Sequence, residues 1–245
     1  MDFGFSWFTR GPLANAGDLQ TIATTGESLG FSHIVVPDHV VMPVSIDSTY
    51  PYSADGSFPG IAGQCMDTLV ALSFVAAMTS RLRLLTSVMV VPHRPALLTA
   101  KMVATIDQLS GGRMVLGCGA GWMEEEFEAL QLPPYAERGA VTDEYIDVFR
   151  KVWSGQTVSH AGKYVNFGNV SVLPNPVQKP GVPIWTGGES APALRRAVRK
   201  GDGWYPIGNN PKFPMDTHAR IAKRLDRLKG IADEEGRDLA TLDLA

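Results

Sequence analysis

Val182-Pro183-Ile184-Trp185-Thr186-Gly187-Gly188-Glu189-Ser190-Ala191-Pro192 joins an apolar run to a two-glycine turn and a helix start. The run Val182 to Thr186 fits a short buried strand, and the glycines permit a tight turn at its end. Ser190 stands where a helix N-cap belongs, and Pro192 is tolerated in the first helical turn. A strand that turns straight into a helix is half of a parallel βαβ unit.

The same alternation extends toward the N-terminus. Phe3 to Phe8 is an apolar run, and Leu19, Ile22, Ala23, Gly26 and Leu29 then recur at helical spacing until Gly30 stops them. Ile34-Val35-Val36 predicts a second strand ending at Pro37-Asp38-His39. A helix is expected from about Asp67 to Met78, a strand over Leu82 to Val91, and a helix from Pro95 closing at Ser110-Gly111-Gly112. Met114 to Leu116 predicts a fourth strand, and Tyr145, Ile146, Phe149, Val152 and Trp153 share one face of a later helix. Beyond the opening stretch, Gly203 to Pro206 predicts a strand, Leu225, Leu228 and Ile231 mark a helix, and Leu242 to Ala245 suits a seventh strand.

Two segments break the rhythm. Residues 42–64 are rich in Pro, Gly, Ser and Tyr, and residues 154–181 are punctuated by Gly155, Gly162, Gly168, Pro174, Pro176 and Pro180. Both read as loop insertions in one domain spanning residues 1–245. The expected fold is α/β, a (β/α)8 TIM-barrel-like domain truncated before its last strand-helix unit, since no eighth unit follows Ala245. An open doubly wound sheet competes, but it would gather its functional loops at one switch point, whereas here they follow several strand ends.

Composition narrows the function. The 245 residues are 44% hydrophobic and 19% charged with a formal net charge of −3, which suits an ordinary globule with a large core. The basic residues are scattered, so no stripe follows a nucleic-acid backbone, and no apolar run reaches membrane-spanning length. The N-terminus lacks a signal-peptide pattern, and the expected location is the cytoplasm. Cys65 and Cys118 form no disulfide framework and read as small buried thiols. His33, His93, His160 and His218 show no metal-ligand spacing, so no metal is expected, and no G-x-S-x-G elbow occurs.

Three segments carry candidate chemistry. Around Gly187, Gly188, Glu189 and Ser190, backbone N–H groups and a helix N-terminus suit a phosphate, although a plain βα turn has the same pattern. Asp38-His39 places a carboxylate beside an imidazole at a strand end, suited either to proton transfer or to capping the turn. Gly117-Cys118-Gly119-Ala120-Gly121-Trp122 reads as close backbone packing at a barrel mouth, with Trp122 a lid on the core or a wall for a planar ligand. Glu124, Glu125 and Glu126 read as first-turn helix residues.

Taken in order, several blocks resemble the luciferase-like monooxygenase superfamily, whose members use flavin or deazaflavin. They are Val36-Pro37-Asp38-His39, Leu84 to Pro95, Ala100 to Asp107 with Leu109 to Arg113, Gly117 to Glu126, Glu137-Arg138-Gly139, and Trp185 to Ser190 with Gly201-Asp202-Gly203-Trp204. The resemblance implies an isoalloxazine-like ring at the strand C-termini, with its phosphate near Gly187, Gly188, Glu189 and Ser190. Ser87-Val88 matches a position where relatives carry a non-prolyl cis peptide behind the ring. Asp38 and His39 resemble the Asp-His pair of the branch dependent on coenzyme F420, with His39 oriented by Asp38.

That likeness implies an F420-dependent oxidoreductase transferring hydride to or from a small organic substrate, with Phe5, Trp7 and Trp122 walling the substrate pocket. Two alternatives stand beside it: an FMN-dependent monooxygenase served by a separate flavin or deazaflavin reductase, and a flavin-binding protein without turnover. One departure matters. Deazaflavin-dependent dehydrogenases carry a catalytic glutamate shortly after the Gly-rich turn, where this chain has Trp122. Homodimerisation is expected from the resemblance alone.

Overall fold

The computed structural model describes residues 2–60 and 63–245, so Ile61 and Ala62 of the expected 42–64 loop lie outside the described residues. A curved parallel sheet is built from β1 (Gly4–Ser6), β2 (His33–Val36), β3 (Arg83–Thr86), β4 (Met89–Val90), β5 (Met114–Gly119), β8 (Ile184–Gly187), β9 (Gly203–Tyr205) and β10 (Asp243–Leu244). Its order is β1-β2-β3-β5-β8-β9-β10, with β4 also pairing with β5. A separate antiparallel pair, β6 (Val158–Ala161) and β7 (Asn166–Val170), lies within the expected 154–181 insertion.

The helices are α1 (Ala16–Ser28), α2 (Thr68–Met78), α3 (Ala96–Ser110), α4 (Glu124–Ala129), α5 (Arg138–Ser154), α6 (Ala191–Lys200) and α7 (His218–Glu234). Sequential neighbours in the chain are neighbours in the sheet, as right-handed βαβ winding requires. The fold is therefore the expected α/β type, a curled half of a TIM-barrel-like arrangement. Among the described residues no helix is long and apolar enough to cross a membrane.

Strand alternation sorts side chains between the two faces. Ile34, Val36, Leu84, Met114, Leu116 and Ile184 join the helices in the main core, whereas Leu85, Val115 and Trp185 form a smaller cluster with Val35 and Tyr205 on the other face. Leu194, Val198, Trp204, Leu228 and Ile231 make a third cluster under α6 and α7.

The expected strand Leu82 to Val91 is divided. A cis peptide at Ser87-Val88 separates β3 from β4, and both pieces pair with β5. Gly117 faces this break, where a Cβ would overlap the carbonyl oxygen of Thr86, so the first glycine of the 117–121 segment serves close backbone packing. The Thr86 hydroxyl donates to the Gly117 carbonyl at 2.8 Å.

Arg113 closes the opposite end of β5. Its guanidinium donates to the carbonyls of Ala76, Thr79, Leu82 and Ser110 and to the Thr79 hydroxyl, tying the end of α2 to the starts of β3 and β5. Replacing Arg113 with methionine keeps the stem but strands these acceptors. We expect a loss of about 2–4 kcal/mol, read as a lower midpoint in urea with an unchanged slope.

Candidate active site

The strand C-termini open into one cleft of about 590 Å³. Asp38, His39, Ser87, Val88, Trp122, Gly187, Gly188, Glu189 and Ser190 all border it, although they come from four separate regions of the chain. Phe5 and Trp7 do not. Phe5 pairs in register with Ile34 and therefore points toward the helices, where its ring meets Phe31 edge-on at 5.3 Å. Trp7 has the same strand parity, is 1% exposed in the main core, and donates its indole N–H to the Leu13 carbonyl. The expected role of both as pocket walls is corrected accordingly.

The expected pairing of Asp38 with His39 is also corrected. The Asp38 carboxylate accepts both guanidinium N–H groups of Arg94, at 2.8 and 2.9 Å, and the backbone N–H of Val90 at 3.0 Å. Arg94 also reaches Asp67 at 2.7 Å, whose other oxygen caps α2 at the Val70 N–H. Burial pushes the Asp38 carboxyl up, but the Arg94 charge and hydrogen bonds outweigh it and hold the group below the usual carboxylate range. Asp38 thus joins the end of β2 to β4 and the start of α2.

His39 is held by a residue 87 positions away: its Nδ1 lies 2.7 Å from Glu126 Oε2. The other carboxylate oxygen of Glu126 accepts the backbone N–H groups of Val40 at 2.7 Å and Val41 at 3.2 Å. Glu126 lies in the first turn of α4 as expected, but it is fully buried, and its carboxylate is engaged with the segment after β2 as well as placed at the helix start. With Nδ1 as donor to that carboxylate, a neutral His39 carries its lone pair on Nε2, at the cleft.

His93 stands nearby, 3.5 Å from Glu126 Oε1 but outside hydrogen-bonding geometry. Burial holds its imidazole below the ordinary pKa, which favours the neutral ring. The neighbouring Glu125 accepts the backbone N–H groups of Asp47 and Ser48, both at 2.7 Å, and so anchors the loop that passes over the cleft.

At the other end, Ser190 caps α6 by accepting the Ala193 N–H, and Gly188 takes a left-handed φ of 99° that disfavours other residues. Glu189 behaves differently from its neighbours. Its side chain turns away from any anion to accept the Ile207 N–H at 2.6 Å and the Asn210 amide at 2.7 Å, bracing the loop after β9. A buried acceptor carboxylate there holds the shape of the turn whose backbone N–H groups were expected at the phosphate.

Ser87 Oγ lies 3.0 Å from the Tyr205 hydroxyl, which ties the cis peptide to β9. The loop preceding α2 contributes Tyr50 and Phe58, which pack edge-on or tilted against Trp122 with centroids 5.0 and 5.4 Å away. These two aromatics, Arg10 and Glu126 were missed from sequence, because loop residues and a run of three glutamates carry no periodic signal. Cys118 is buried as expected, with burial pushing its thiol up to about 12, whereas Cys65 is only partly buried. Among the described residues no His, Cys, Asp and Glu cluster could hold a metal.

Comparison with known proteins fits this arrangement. The chain belongs to the luciferase-like monooxygenase family, whose model matches residues 1–245. An uncharacterized protein of Mycobacterium tuberculosis is 34% identical over 209 residues, covering 85% of this chain and 70% of that protein. An FMNH2-dependent dimethylsulfone monooxygenase of Pseudomonas putida is 33% identical over 136 residues, or 55% of this chain and 37% of that enzyme. Among solved structures, the coenzyme F420-dependent tetrahydromethanopterin reductase of Methanopyrus kandleri shares the fold. It superposes with a TM-score of 0.75 at 21% identity, covering 99% of this chain and 64% of that one.

Because the folded-state pKa of Asp38 is lowered, its stabilisation is complete above the unfolded value of about 3.9 and is lost as pH falls through the folded value. Asp38→Asn should cost about 3 kcal/mol at neutral pH and flatten the acid limb of a plot of Tm against pH. An unchanged acid limb would remove Asp38 as its source.

Proposed function

We propose that this enzyme transfers a hydride between reduced coenzyme F420 and a small organic substrate, with His39 moving the accompanying proton. The observation that carries the reading is the clamp of Glu126 on His39 Nδ1, which leaves Nε2 facing the cleft. Membership of an enzyme family sets aside the expectation of flavin binding without turnover.

The cleft suits a planar group with a phosphate. Val88 forms part of its floor, and a Cβ on Gly187 would come within 3.2 Å of Val88 Cγ1, so only glycine leaves the full approach open. The cis peptide Ser87-Val88 would lie behind a bound ring, while the α6 N-terminus, with Gly187, Gly188 and Ser190, would suit the phosphate. When bound, the deazaflavin supplies or accepts the hydride. On oxidation the Nε2 lone pair of His39 accepts the proton leaving the substrate heteroatom. On reduction Nε2 first takes up a proton from solvent, with the Glu126 carboxylate balancing the imidazolium charge, and passes that proton to the heteroatom. Asp38 is a positioning residue, holding the strand end from which His39 projects through Arg94.

The likeness to the Pseudomonas putida enzyme favours a second reading, an FMN-dependent monooxygenase receiving reduced flavin from a separate reductase. Titrating the purified protein with F420 and with FMN separates the two. Saturable binding of F420 is expected, and binding of FMN alone would overturn the choice. His39→Ala should lower turnover roughly 10²–10⁴-fold while cofactor affinity changes little; unchanged turnover would take His39 out of the reaction.

A further inference from the structure

We infer that the substrate of this site is a carboxylate with a flat apolar body, its anion received by Arg10 and its body by the wall of Tyr50, Phe58 and Trp122. The inference rests on the proposed oxidoreductase reading for the site and adds its substrate class. Arg10 borders the cleft, and its guanidinium lies over the Phe58 ring, 4.7 Å from the centroid. Its Nη1 is buried and has no hydrogen-bond partner among the described residues.

Most other arginines near the cleft are committed within the protein. Arg94 pairs with Asp38 and Asp67, Arg196 with Asp143, and Arg138 donates to the carbonyls of Gly121 and Tyr135. A partly buried guanidinium without a carboxylate retains an unspent capacity for bidentate binding of a planar anion. Burial lowers the Arg10 pKa, and among the described residues the neighbours that raise it, Tyr50 and Cys65, are not carboxylates.

Arg10 also stands apart from the phosphate turn. It follows β1, whereas Gly187 ends β8 and Gly188 follows it, and β2, β3 and β5 lie between those strands. Phe58 links Arg10 to the reacting group, since its ring lies 6.1 Å from that of His39 and 5.4 Å from that of Trp122. An anion on Arg10 and a flat body against these rings would therefore place the remainder of the molecule beside His39.

Calorimetric titration of the cofactor-free protein with 2-naphthoate and with its neutral counterpart 2-naphthamide tests the inference. The acid should bind at least about tenfold more tightly than the amide, a difference of about 1.4 kcal/mol. Arg10→Met should abolish that preference and Arg10→Lys should keep part of it. Equal affinities in the wild-type protein, or a preference that survives in Arg10→Met, would overturn the inference; the wild-type comparison needs no variant to fold. The cofactor titration is read separately. Binding of F420 without acid preference defeats the substrate class alone, whereas acid preference without binding of either cofactor leaves the anion site and defeats the redox reading.

Discussion

One buried carboxylate, that of Glu126, organises the His39 side of the cleft. It meets an imidazole and two backbone N–H groups from the chain segment that follows β2. A fully buried glutamate requires such partners, because an unpaired carboxylate would carry a large desolvation penalty. The requirement is mutual. The segment after β2 has no regular ladder for the N–H groups of Val40 and Val41, and Glu126 supplies their acceptor. Chain direction and ring orientation at His39 are thereby set by the same contact.

A second buried network supports the floor. Asp38, Arg94 and Asp67 connect the end of β2, the start of α3 and the N-cap of α2, while the Val90 N–H joins β4 to the same carboxylate. The cis peptide at Ser87-Val88 lies between these anchored pieces and is tied to β9 through Tyr205. Glu189 repeats the device on the far side, where its carboxylate secures the loop after β9 beside the Gly188 turn. The cleft is thus bordered by acidic side chains whose charge is consumed inside the protein, leaving positive and apolar groups toward a ligand.

The parts of this arrangement written in local pattern were legible in the sequence. Strand runs, helix caps and glycine turns depend on neighbours a few residues apart, so Asp67, Ser190 and Gly111 marked element ends correctly. The division of Leu82 to Val91 was not visible in hydrophobicity, which continues across the break, although resemblance pointed to Ser87-Val88. Partner choice was less accessible. Asp38 and His39 are adjacent in sequence yet face Arg94 and Glu126, because consecutive residues at a strand end project in different directions. Phe5 and Trp7 failed for a related reason: an aromatic next to a strand mouth is useful to a ligand only on one parity, and theirs belongs to the core.

The loop carrying Tyr50 and Phe58 is fastened to the rest mainly by side chains of α4, with Glu125 holding Asp47 and Ser48 and the Ser48 hydroxyl accepting the Glu124 N–H. His39 and its carboxylate use a different residue of the same short helix. The aromatic surface and the His39 imidazole are therefore held by different residues of one helix, so residues between the loop tethers can change without touching the clamp on His39. The short helix is thus a shared joint between the loop wall and the imidazole, so a change in what the wall accepts is mechanically separable from the setting of the ring.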